Sequence, residues 1–187
     1  GMRAQVMAEG KNANTSINAV ERPYEAIRAV KPMAGRFFNE AEEQAGAKVA
    51  LMGATVIKKL FGSKNPIGEQ IRINETYFRV IGVLPVRGAS GPRDQDDEII
   101  IPLKTGMKRL MGKEYLDTIF VDVINAADVE AVQDKITDLL NLQHRVMDKK
   151  EQDFEIRNMA DIKRTLSAMT STMSGLLGTV AAISLVV

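Results

Sequence analysis

The stretch KKLFGSKNPIGEQIRINETYFRVIGVLP, residues 58–85, decides how this chain is read. Gln70-Ile71-Arg72-Ile73 alternates polar and apolar, Asn74-Glu75 is a turn pair, and Tyr77 to Leu84 is rich in β-branched and aromatic residues. That pattern predicts a β-hairpin over 68–84, stopped by Pro85. Just upstream, Ala54 to Phe61 places Val56, Ile57, Leu60 and Phe61 on one face and Lys58 and Lys59 on the other. This is a short amphipathic helix, with Gly62 as its stop and Pro66 soon after.

Working outward, the apolar runs Val49–Met52 before Gly53 and Ile99–Ile101 before Pro102 predict buried strands. Thr105 to Met111 predicts a short helix ended by Gly112. Residues 3–9 and 15–21 predict two short strands around the polar turn 10–14. Pro23 to Val30 reads as a helical turn or an irregular segment. Gly35 to Phe38 reads as a turn leading into Asn39–Glu43, an exposed acidic stretch. Residues 86–98 form a polar loop.

The last third predicts a βαβ unit. Thr118–Val123 is its first strand. Asn125 is the expected N-cap, with Asp128 three residues on. Val129, Val132, Ile136, Leu139 and Leu140 recur at helical spacing, and Phe154-Glu155-Ile156 is the second strand. A run of this kind favours parallel pairing with a right-handed crossover. Asn158 then opens another helix, with Ile162, Leu166, Met169 and Met173 along one stripe.

After Arg164 no charged residue occurs up to Val187, and Gly175–Val187 is almost wholly apolar. A charge-free run of 18 or more residues is a transmembrane-helix candidate; the alternative is a buried helix or one packed on a partner. One helix from Met159 to Val187 would measure ~43 Å at about 1.5 Å per residue. Gly1-Met2 reads as an artificial start, and residues 2–30 hold no apolar signal-peptide core.

Composition narrows the function. The chain has 187 residues, 45% hydrophobic and 26% charged, with 25 Lys+Arg against 24 Asp+Glu. Net charge of +1 argues against a nucleic-acid binder. Zero cysteines exclude disulfides, thiolate metal sites and a cysteine nucleophile. His144, the single histidine, follows Leu139-Leu140 at a helix end, where a cation suits the dipole. There is no G-x-x-x-x-G-K-[ST] loop, and Gly53 to Lys58 echoes it without the second glycine. There is no G-x-S-x-G. Asp94, Asp96, Asp97 and Glu98 match no EF-hand spacing and read as a solvated, partner-facing loop. Asn14 and Asn74 open glycosylation-like triplets that read as chance.

Taken in order, GRFF at 35–38, VALMG at 49–53, KKLFGSKNPIGEQIRI at 58–73, FRVIGVL at 78–84 and DQDDEIIIPL at 94–103 resemble the periplasmic core domain of MacB-type ABC transporter permeases. The tail GLLGTVAAISLVV is similar to the start of that family's second membrane helix. The resemblance covers nearly all of the chain after about residue 20. One departure is that the family usually places a membrane helix and a strand–helix segment before residues like 3–9.

The resemblance implies an α+β, two-lobed extracytoplasmic domain. Residues 2–30 and 116–160 would form a βαβ, porter-like lobe, and 31–115 a β-rich, sabre-like inserted lobe. Residues 161–187 would be a helix leading into a transmembrane segment. It implies no cofactor and no catalysis in this domain, which would sit on the periplasmic side of the inner membrane, anchored through 165–187. Its implied partners are an ABC ATPase, a second permease copy, a periplasmic adaptor and an outer-membrane channel. Arg87, Arg93, Asp94, Asp96 and Asp97 are the candidate partner-binding residues. Two other readings stand beside this one: a module that captures a lipoprotein or peptide in an apolar groove, and an enzyme with an unrecognised site.

Overall fold

In the computed structural model, residues 1–90, 93–144, 153–158 and 167–175 are described. Two units divide the chain, Gly1–Asp122 and Val123–Val187.

The first unit is built on a ladder that closes on itself. Strands β1 (Met2–Ala8), β2 (Lys11–Val20), β4 (Val49–Met52), β5 (Gln70–Ile73), β6 (Thr76–Val83) and β9 (Glu98–Pro102) run round in the order β6-β4-β9-β2-β1-β5, and β5 pairs back onto β6. The short strand β3 (Ala34–Gly35) adds to the far half of β6 through Gly82 and Val83. Pairing is antiparallel except at β2–β9 and β4–β6, which are parallel. The closing seam is brief, Val6 opposite Ile73 and Met7 opposite Arg72. A closed ring of strands leaves little open edge, which removes a route to aggregation.

Alternation along the strands fills the interior. Ala4, Val6 and Ala8 of β1, Ala13 and Ile17 of β2, and Ala50 and Met52 of β4 point inward. Ile71, Ile73, Phe78, Val80, Ile99 and Ile101 meet them. Helix α3 (Ala54–Leu60) joins the same cluster with Val56 and Leu60, followed by Phe61. Thr15 also lies in this buried set, and its Oγ1 is sealed from solvent with no hydrogen-bond partner.

The outer face of β4, β6 and β9 carries a second core. Leu51, Ile100 and Val49 pack with Val30, Phe37, Phe38 and Leu84. The covering segment is held by α1 (Tyr24–Ile27) and α2 (Glu40–Ala45). The stretch read as exposed and acidic is in fact the helix α2. Asn39 and Glu42 form a reciprocal capping box, and Glu42 also takes a bidentate bond from Arg36, both contacts at 2.7 Å. The N-x-x-E spacing in the sequence is the signal for it. The Arg36 guanidinium holds the Glu42 carboxyl below its ordinary range.

Two close approaches fix the packing of this unit. A Cβ on Gly53 would lie 2.2 Å from the Asp96 carbonyl oxygen, so β4 can turn into α3 there only with glycine. A Cβ on Gly106 would lie 2.3 Å from Ala19 Cβ. Helix α4 (Leu103–Thr105) continues at Gly106 as a π-helical stretch to Met111, a wider turn than the α-helix expected there.

Several expectations are revised. The β1–β2 turn is only Glu9-Gly10, both at left-handed φ (52° and 72°), and Asn12 and Asn14 are outward positions of β2. Two successive left-handed residues make the tight hairpin turn that such strands favour. β1 and β2, expected apart from the inserted lobe, are staves of the same ring as the strands of 31–115. Thr118–Val123 and Phe154–Ile156 are not strands, because no described strand pairs with either.

In the second unit, Ala126–Asp128 is a 3-10 turn leading into α5 (Val129–His144). Asn125 makes no side-chain cap; its carbonyl instead accepts from Asp128 N at 3.0 Å. No residue of α5 is buried. His144 sits at the expected helix end, with Nδ1 2.8 Å from an Asp153 carboxylate oxygen. Residues 167–175 are helical. The expected helix over 159–166 and the apolar run 176–187 lie outside the described residues. Among the described residues no helix is long and apolar enough to cross a membrane.

Candidate functional site

The acidic run proposed as a partner surface is tied into the barrel. Asp96 is 7% exposed, and its carboxylate accepts the backbone N–H groups of Arg87 (2.8 Å) and Gly88 (3.0 Å). Asp96 N in turn donates to Asp94 Oδ1 at 2.9 Å, which folds the loop back on itself. Asp94 Oδ2 accepts from Thr55 of α3 at 2.7 Å. The Thr55 hydroxyl, then the Asp96 N–H, hold the Asp94 carboxyl below the usual range. Asp97 lies between Lys59 (3.1 Å) and Arg3 (3.5 Å). Arg93 belongs to the two-residue strand β8 (Arg93–Asp94), paired with β7 (Ala89–Ser90).

Asp96, expected to face a partner, is a buried clamp on the base of the loop. Asp97 is bonded to the barrel's own cations. Exposed positions of the loop include Val86, at 62%, and Asp94 and Gln95. A buried carboxylate bonded by two amide donors cannot be told from a solvated one by sequence, because both appear as aspartates in a Gly-rich loop.

On the neighbouring face, Glu98 is sunk against β2. Burial pushes its carboxyl above the ordinary range, opposed first by the hydrogen bond from Asn18 Nδ2 (2.8 Å) and then by attraction to Arg87 and Arg28. Arg87 reaches across to donate to the Arg28 carbonyl at 3.2 Å. The Arg28 guanidinium lies 5.1 Å from the centroid of Phe120, and Tyr24 meets the same ring edge-on at 5.7 Å. Asn18, Val20, Tyr24, Leu103, Met107 and Phe120 line a cleft of about 230 Å³, below the roughly 300–1,000 Å³ usual for small-molecule sites. The larger hollow, about 970 Å³, is an open groove walled by Glu21, Glu25, Glu40 and Glu43 as well as Arg22, Lys31 and Lys104. Among the described residues no group of three or more His, Cys, Asp or Glu is arranged to hold a metal ion.

The parts of the site that sequence reasoning missed are Arg28, Tyr24 and Phe120. Their only local signal is aromatic or cationic character, and they meet through the fold, across about a hundred residues of chain.

The chain belongs to the MacB-like periplasmic core domain family, whose match spans residues 1–139. It is 49% identical over 99% of its length to the macrolide export ATP-binding/permease protein MacB of Bdellovibrio bacteriovorus, covering 29% of that protein. It is 44% identical over 94% of its length to the protein of the same name from Chlorobium phaeobacteroides, covering 26% of it. The chain thus spans less than a third of the length of these relatives. In fold it is similar to the periplasmic region of MacB from Actinobacillus actinomycetemcomitans, with a TM-score of 0.70 and 22% identity over 89% of this chain and 72% of that one. The extracellular domain of the noncanonical ABC-type transporter YknZ matches with a TM-score of 0.67 and 18% identity, over 76% of this chain and 72% of that one.

Proposed function

We propose that this chain is the non-catalytic periplasmic coupling domain of an ABC export permease of the cytoplasmic membrane, anchored through residues 165–187. ATP hydrolysis at an ATPase domain or subunit moves the membrane helices of a permease dimer. This domain passes that motion to a periplasmic adaptor and, through it, to an outer-membrane channel. The cargo class is the one in the relatives' names, a macrolide, and the domain itself takes no cofactor and no nucleic acid. The 86–95 loop, with Arg87, Arg93 and Asp94, meets the adaptor, while Asp96 and Asp97 hold it to the barrel.

The observation that carries this reading is the closed ladder. A ring of strands with a filled interior is stiff, because interiors pack like crystals and transmit displacement rather than absorb it. In the full-length permease, replacing residues 2–112 with a short Gly/Ser linker is expected to abolish export while ATP binding and membrane insertion persist. Export at the normal level from that variant would overturn the reading.

A further inference from the structure

We infer that Phe120, gripped by Tyr24 and Arg28, is the latch through which displacement of the chain beyond Asp122 reaches the barrel; this rests on the coupling reading above. Residues 113–122 are the last of the first unit before the chain passes into the second. They form no helix or strand, so no backbone ladder fixes them. Along this segment Leu116, Ile119 and Val121 are 51%, 65% and 55% exposed. Phe120, itself 45% exposed, differs from them in its contacts: its ring meets Tyr24 at 5.7 Å and the Arg28 guanidinium at 5.1 Å.

Both holders are fixed to the barrel. Tyr24 opens α1, directly after β2, and packs against the outer core of Val30, Phe37 and Leu51. Arg28 closes α1, and its carbonyl accepts from Arg87, whose own N–H is clamped by buried Asp96. A pull on Phe120 therefore bears on β2 through Tyr24 and on the base of the 86–95 loop through Arg28 and Arg87. Aromatic edge contacts and exposed cation–π contacts are each modest and short-ranged. A latch of this strength holds at rest and can give under load.

The test uses the full-length permease. Phe120→Ala is expected to lower export about tenfold, the scale of losing one aromatic edge contact and one cation–π contact. ATP hydrolysis and membrane abundance are expected to stay at the parent level. Phe120→Tyr keeps the ring and is expected to restore export, and Ile119→Ala, one residue away with no ring contact, is expected to export normally. Parent-level export from Phe120→Ala, with none from the variant lacking residues 2–112, would overturn the latch and leave the coupling reading standing. Export from both would overturn the two together. Equal loss in Ile119→Ala, or no rescue by Phe120→Tyr, would mean the segment matters only as structure, which also overturns the latch.

Discussion

In β6, Phe78 and Val80 are 1% and 0% exposed, whereas in the chemically similar run Thr118–Val123, Ile119 and Val121 are 65% and 55% exposed. Both runs alternate and both are rich in β-branched and aromatic residues. They differ in what lies alongside. β6 pairs with β4 on one edge and with β5 and β3 on the other, while no described strand pairs with 118–123. The helices repeat the contrast: seven-residue α3 buries Val56 and Leu60 completely, and sixteen-residue α5 buries nothing. Side-chain pattern makes an element competent to pack, and a partner surface makes it pack. Most helical and strand stability comes from that tertiary contact rather than from local preference.

The sharpest way to break this contrast is to remove one leucine from each region. Leu51→Ala in the outer core is expected to cost about 2–5 kcal/mol by urea unfolding. Leu142→Ala on α5, where the side chain is 78% exposed, is expected to change stability by no more than ~0.5 kcal/mol. A comparable loss from both would mean that α5 packs as tightly as the barrel.

Next in size is Gly53→Ala. The added methyl meets the Asp96 carbonyl rather than a movable side chain, so a loss of about 1–3 kcal/mol is expected. An unchanged midpoint would show that the β4–α3 corner can shift. Thr15→Val should act in the other direction. It removes a sealed hydroxyl with no partner while keeping the branch at Cβ, and a gain of about 1 kcal/mol is expected. A loss would reveal a hydrogen bond to a buried water.

The smallest expected effect is a pH-dependent one at Glu98. Burial raises its folded-state carboxyl above the ordinary glutamate value, which is near 4.3. The folded state therefore binds the proton more tightly than the unfolded chain does. The stability this contributes is fully present below the ordinary value and is lost as pH rises through the folded one. Glu98→Gln, which keeps an acceptor for Asn18, is expected to raise Tm at pH 7 by an amount that shrinks toward pH 4. A gain that does not vary with pH would remove burial as the cause.

Much of the ring was legible residue by residue. Val49–Met52 matched its strand, and Ala54–Leu60 and the hairpin turning at Asn74 fell within a residue or two. These are segments whose pattern and punctuation agree. The helix α2 was missed because its residues are polar and its signal lies in one side-chain pair, Asn39 with Glu42. The place of β1 and β2 in the ring was not legible, because neither carries a mark of which strands it joins. Parallel pairing of β2 with β9 spans some eighty residues and leaves no local trace. The loop at Arg87–Asp97 was recognised as a feature, but the burial of Asp96 was not.

The sequence by itself determined the family, the identity of most barrel strands and the end of the strand Val49–Met52 at Gly53. Short-range sterics and two-residue periodicity act within a few residues, so they can be read from them. Tertiary structure alone decided that the strands close into a ring, that Asp96 serves as a buried clamp, and that Tyr24, Arg28 and Phe120 converge. Each of those depends on which surfaces far apart in the chain exclude water together, and that is a property of the whole fold rather than of any window in it.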